Sequence, residues 1–136
     1  MTVKLAETIR VAECATTVSL LNSGIIDFHE GGEPDVDSAA TGTKLATFTF
    51  AATAFSGTVD DGTYADAAAN TIPATVGLAA GLAGYFRVYM SNGITTCLQG
   101  SITGVGGGGD IEMGNTSIAL GQAVDITTFI YRKRQS

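Results

Sequence analysis

The sequence predicts a mainly β protein: a β-sandwich or jelly-roll-like barrel of about seven short strands, preceded by one N-terminal α-helix. Three observations predict it. Helical spacing of apolar residues is confined to the segment before Asn22-Ser23-Gly24. After it come short runs rich in Thr, Val, Ile and Phe, with turn residues recurring about every ten positions. Eighteen glycines and only two prolines supply those turns. At 136 residues the chain reads as one domain, divided into a helix over 1–24, a β-body over 25–131 and a basic tail over 132–136.

Leu5 to Leu21 carries Leu5, Ile9, Ala12, Thr16 and Leu20 at spacings of three and four, an apolar stripe on one helical face. Thr2 or Thr8 is the candidate cap. Gly24 supplies a stop, because glycine adopts the left-handed conformation that ends many helices. The β-branched Thr16, Thr17 and Val18 weaken the second half, so helicity there depends on packing.

Beyond Gly24, Ile25 to Glu30 places Ile26 and Phe28 on one strand face, with His29 at the strand end. Gly31 to Pro34 ends the strand, and the small polar residues 35–43 form a loop. Lys44 to Phe50 is a strand with Ala46, Phe48 and Phe50 inward. The Ala-rich 51–83 segment is expected to hold short strands near Phe55–Val59 and Thr71–Val76, with a turn at Asp60-Asp61-Gly62. Gly84 to Gln99 (GYFRVYMSNGITTCLQ) is the clearest hairpin signal. A two-residue Asn92-Gly93 turn pairs Phe86 with Gln99. A three-residue turn ending in a left-handed Gly93 pairs Phe86 with Leu98 and matches apolar partners better. The second register predicts Phe86, Val88, Met90 and Leu98 in the core, with Arg87 and Cys97 pointing away. After the flexible 103–109 connection, strands are expected at 110–113, 116–120 and 124–131, the last with Val124, Ile126 and Ile130 inward and Phe129 and Tyr131 on the opposite face.

Charged residues make up 15% of the chain and apolar residues 45%. That is well below the usual ~25% charged content. A weakly charged surface suits a protein packed against neighbours, as well as an ordinary β-domain rich in Thr and Ser. The net charge of −6 argues against nucleic-acid binding. The basic residues Arg132, Lys133 and Arg134 stand apart from an acidic group at Asp27, Glu30, Glu33, Asp35 and Asp37. Cys14 and Cys97 are too few for a disulfide framework. No apolar run reaches the ~18 residues of a membrane span, and the charged opening does not resemble an export signal. Synthesis and folding in a cytoplasm are expected.

No motif points to turnover. The single histidine, His29, has no nucleophile elbow near it, and its ordinary reading is an exposed or hydrogen-bonded edge residue. The glycine run 104–109 lacks the following Gly-Lys-Ser/Thr of a phosphate loop. Three Cys and His residues far apart in sequence do not make a zinc site. Asp35 with Asp37, and Asp60 with Asp61, are oxygen-ligand candidates for calcium, but aspartates in turns commonly bond backbone amides instead. The expectation is therefore no enzyme, no cofactor and no metal.

The order of these elements resembles a family of small tailed-bacteriophage proteins encoded among virion structural genes. The residues that carry the resemblance are AATGTKLA at 39–46, GYFRVYMSNGIT at 84–95 and GDIEMGNTSIALGQAVDITTF at 109–129, and the likeness spans nearly the whole chain. It implies a virion component on the capsid surface: a capsid decoration (cement) protein that binds the major capsid protein, with a homo-oligomer, a trimer, favoured. The alternatives are a tail, baseplate or head–tail connector component, or a carbohydrate-binding module built on exposed tyrosines. The partner-binding candidates are Arg132, Lys133, Arg134, Tyr85, Arg87 and Tyr89. The RKRQS tail and the acidic 27–37 stretch depart from the family pattern, which puts the docking surface in question.

Overall fold

A computed structural model describes residues 3–134. The protein is mainly β, with one N-terminal helix, α1 (Glu7–Ser19), and strands β1 (Ile25–Glu30), β2 (Lys44–Thr49), β3 (Val59–Asp60), β4 (Tyr64–Ala68), β5 (Thr75–Val76), β6 (Gly81–Tyr89), β7 (Thr96–Gly104), β8 (Ile111–Met113), β9 (Ser117–Ile118), β10 (Ala123–Val124) and β11 (Thr128–Arg134). Eight strands follow one hydrogen-bonded path, β2-β1-β6-β7-β8-β11-β4-β3. β9 pairs with β6 off this path, and β5 pairs with β10 separately. All pairs are antiparallel except β7–β8.

The path bends around a single core. Phe86 of β6, Phe129 of β11, Phe50 just beyond β2 and Phe55 meet ring to ring: Phe86–Phe129 centroids are 5.1 Å apart and Phe55–Phe129 5.4 Å. Edge-to-face pairs of this kind stabilise by about 0.5–1.5 kcal/mol each beyond their area. Phe129 is therefore inward at 4% exposure and Ile130 outward at 37%. This reverses the expected facing of the last strand. The chain breaks at 125–127, between β10 and β11, so the alternation starting at Val124 does not continue in phase.

The helix also turns a different face inward. Arg10, Cys14 and Val18 are buried, while Ile9 and Leu20 of the expected stripe are 46% and 50% exposed. The physical cause lies across the interface. Arg10 makes a two-pronged pair with Asp60 of β3 (Nε–Oδ2 2.8 Å, Nη2–Oδ1 2.7 Å), and its Nη1 donates to the Leu5 carbonyl. Fork-to-fork pairing fixes orientation as well as distance. The small Ala65 and Ala67 of β4, both buried, leave room for the helix beside them. No side chain caps the helix: Ala6 holds the N-cap position, and Thr2 lies outside the described residues.

The hairpin forms with Phe86 and Val88 toward the core and Arg87 away from it as expected, but its register is displaced by two and Cys97, expected to point away, packs against the core. Phe86 pairs with Gly100 and Val88 with Leu98, and a bulge at Cys97 brings Tyr89 opposite Thr96. The loop is longer than expected, closed by Met90 N–H to Thr95 O at 2.9 Å, with Gly93 left-handed at φ 70. Asn92 Oδ1 accepts the Ile94 and Thr95 amides and so favours the longer loop. Gly100 admits the Phe86 ring, whose edge lies 2.8 Å from where a Cβ would stand. A two-residue shift preserves sidedness. Phe86 and Val88 are buried, whereas Met90 and Leu98 are half-buried.

Strands appear at 59–60 and 75–76 rather than over the longer expected stretches, and β4, whose sequence Tyr64 to Ala68 is mostly alanine, was not expected at all. Residues 103–104 belong to β7. Residues 132–134 are not a tail: Arg132 pairs with Asp66, Lys133 with Ala65 and Arg134 with Tyr64 along β4. Removing 132–136 would thus strip the end of a paired strand; Gln135 and Ser136 lie outside the described residues.

Candidate functional site

The face of β1, β6 and β7 opposite the aromatic core is covered by the loop 31–43. Arg87, 2% exposed, anchors it. Its guanidinium donates to the Ser38 carbonyl (2.6 Å), the Asp35 carbonyl (3.1 Å) and Gln99 Oε1 (2.9 and 3.1 Å). Gln99 Nε2 donates onward to the Pro34 carbonyl. The Tyr85 hydroxyl accepts the Thr41 amide and donates to the Thr41 carbonyl. Three strand side chains thereby satisfy backbone groups of a loop that has no ladder of its own. Gly84 permits the close approach, since a Cβ there would overlap the Gly31 carbonyl.

His29 lies under the same loop, stacked on Tyr85 with centroids 5.1 Å apart. Its Nδ1 is 3.4 Å from the Gly42 carbonyl, and its Nε2 is buried with no hydrogen-bond partner. Of the expected exposed or hydrogen-bonded edge histidine, the hydrogen-bonded form is found, but buried and on a strand flanked on both sides by β2 and β6. Asp27, paired across the ladder with Arg87, is also buried; it accepts Thr47 Oγ1 (2.8 Å) and lies 3.3 Å from Lys44 Nζ. Arg87, Gln99 and Tyr85 are thus committed to holding the loop, whereas Asp27 is engaged with Thr47 and Lys44 of β2.

The six residues expected to meet a partner do not form one surface. Tyr85 and Arg87 are inside, beneath the loop, and Tyr89 is half-buried. Arg132, on β11, lies 3.4 Å from Asp66 and over the Tyr64 ring; Lys133 lies 3.2 Å from Glu13 of α1. Arg134 is placed by its pairing with Tyr64. The calcium candidates are likewise engaged: Asp35 Oδ1 accepts the Asp37 amide, Asp60 holds Arg10, and Asp61 Oδ1 accepts the Thr63 and Tyr64 amides. The Arg10 guanidinium holds the Asp60 carboxyl below its ordinary range, and the two backbone amides do the same for Asp61. Burial pushes both cysteine thiols up, and both are free. Among the described residues no group of three or more His, Cys, Asp or Glu side chains could hold a metal ion, and no helix is long and apolar enough to cross a membrane.

A different surface stands out. Residues 67–86 and 113–124 contain no Asp, Glu, Lys, Arg or His. The fold brings them together: β5 pairs with β10, β9 with the start of β6, and Gly77 bonds both Gln122 O and Gly121 N at 2.8 Å. On these two segments Val76, Leu78, Leu82 and Leu120 are 53%, 50%, 59% and 73% exposed. Their exposed surfaces sum to an area on the order of 400 Å², within the range that matters for contacts between proteins. The missing charges were legible in the sequence. The exposure was not, because leucine at such positions reads as core.

Compared with known proteins, the chain matches no family model, no curated protein and no solved structure.

Proposed function

We propose that this protein is a bacteriophage virion structural protein, a capsid decoration protein that attaches to the assembled shell through its uncharged aliphatic face. The observation that carries the reading is the exposure of Val76, Leu78, Leu82 and Leu120 on two charge-free segments bonded to one another. Covering such a face removes apolar surface from water at roughly 25 cal/mol per Å², so about 400 Å² contributes on the order of 10 kcal/mol before the costs of association. The two segments bring no charge of their own to be desolvated, and the Glu30 carboxylate stands beside them at Gly81. A homo-oligomer would carry several such faces at once, so that modest single contacts reinforce one another. The curled sheet, with one aromatic core between its two halves, fits a jelly-roll-like barrel and provides a stiff support for that face. The resemblance of residues 84–95 and 109–129 to small virion proteins supports the same reading and favours the major capsid protein as partner and a trimer as the docking unit.

Counting copies in purified particles tests it. Hundreds of copies per particle are expected. Six or twelve would move the protein to the tail or neck, and none would remove it from the virion. In reconstitution with undecorated shells, Leu82→Glu combined with Leu120→Glu is expected to abolish attachment while leaving the unfolding midpoint within a few degrees. Undiminished attachment would overturn the assignment of this face.

A further inference from the structure

The sheet contains a slot one strand wide. β8 is only three residues long, yet it joins β7 on one side and β11 on the other. Adjacent strands lie ~4.8 Å apart, so β8 holds its two neighbours about 9.6 Å apart. β7 extends well past β8: its ladder to β8 begins at Ile102, and residues 96–101 pair only with β6. β11 likewise runs on as residues 130–134, which pair only with β4. Between these stretches is a groove of about 290 Å³ lined by Leu98, Gln99, Phe86, Phe129, Ile130 and Arg132, with Asp110 at the end next to β8.

Both walls present backbone to the groove. In an antiparallel ladder alternate residues turn their N–H and C=O to opposite sides. Ser101 turns its amide to the slot, where Asp110 Oδ2 accepts it at 3.1 Å. Gln99, two residues earlier, faces the same way. On β11 the Phe129 carbonyl accepts from Ala69 on the far side, so Ile130 and Arg132 turn their backbone groups toward the slot. Asp110 is thus a carboxylate standing where the next residue of a longer β8 would bond. The floor is aromatic, Phe86 against Phe129. Arg132, with its side chain 55% exposed, lies 3.4 Å from Asp66, and Asp110 adds a carboxylate at the end of the groove, while the facing stretch 96–101 of β7 carries no charge.

We propose that this slot accepts an extended segment of a partner protein, which completes the sheet by pairing with β7 and β11 at once, with its apolar side chains toward Phe86 and Phe129. Area sets the partner: a six-residue strand held on both edges buries about 1,200 Å² in total, the lower limit for a specific interface. Such a segment binds durably when a folded neighbour delivers it in many copies. The slot is separate from the aliphatic face, so either assignment stands if the other fails.

The full chain and a capped hexapeptide, TVDVTV, test it by amide hydrogen exchange. At a peptide concentration ten times its dissociation constant, exchange at Gln99, Ile130 and Arg132 is expected to slow about tenfold, because only the free tenth exchanges. N-methylation of the peptide at either alternate set of residues is expected to weaken binding at least tenfold, since both edges are used. Loss of binding from one set alone would mean one-sided edge pairing and would overturn two-sided insertion. No saturable binding up to about 1 mM, or unslowed exchange at the three amides, would overturn the slot as a strand site. Protection of the same amides on raising protein concentration without peptide would make a second copy the occupant and overturn the partner assignment.

Discussion

Replacing Arg87 by methionine tests the claim that the 31–43 loop is held by one buried guanidinium. The substitution keeps most of the aliphatic stem and removes four hydrogen bonds, to Ser38 O, Asp35 O and twice to Gln99 Oε1. A hydrogen bond to a charged group contributes about 1.5–3 kcal/mol net, and a buried partner left unsatisfied costs about 1–3 kcal/mol. The two carbonyl groups belong to exposed loop residues and regain water when the loop lifts. The two bonds to one amide oxygen count little more than one. The expected loss is therefore about 2–4 kcal/mol rather than the sum of four bonds. For a chain of this size that corresponds to a drop of about 6–14 °C in Tm. Thermal unfolding followed by circular dichroism measures it. Cleavage by a glutamate-specific protease at Glu33 reports separately on the loop and is expected to accelerate. A Tm within about 2 °C of the parent, with unchanged cleavage, would refute the anchoring role of Arg87.

Two further outcomes follow from the packing and the charges. Phe129→Ala should cost about 3–5 kcal/mol, because it empties the centre of the aromatic cluster, whereas Ile130→Ala should cost less than about 1 kcal/mol; urea titration of both variants reads the difference, and equal losses would return the last strand to the opposite facing. Stability should fall as the pH drops below about 4. Asp60 and Asp61 titrate lower in the folded chain than their ordinary 3.8. Their contribution is complete above that unfolded value and is lost as the pH falls through the folded one. Asp60→Asn should flatten this acid dependence in urea midpoints recorded from pH 2 to 6, and an unchanged slope would remove the Arg10–Asp60 pair as its source.

Local pattern was enough for much of the chain. The strands at 25–30, 44–49 and 84–99, the turn at Asp60-Asp61-Gly62 and the left-handed Gly93 were legible because alternation and turn chemistry involve neighbours a few residues apart. So were the single helix and the scarcity of charge. Distant partners decided the rest. The helix turned Arg10, Cys14 and Val18 inward, and left Ile9 and Leu20 in water, because Asp60 waited fifty residues away. Tyr85 and Arg87 were legible as one face of a strand, but not as buried. Their cover is a loop of small polar residues, and hydrophobic periodicity carries no sign of it. β4 escaped notice because alanine has little strand preference of its own; it is a strand only because β3 and β11 flank it. The exposed aliphatic face and the one-strand slot belong to this second category. A sequence records which residues are apolar and which segments can extend. Which of them find a partner within the same chain, and which are left facing outward, is settled only when distant segments compete for the same surface.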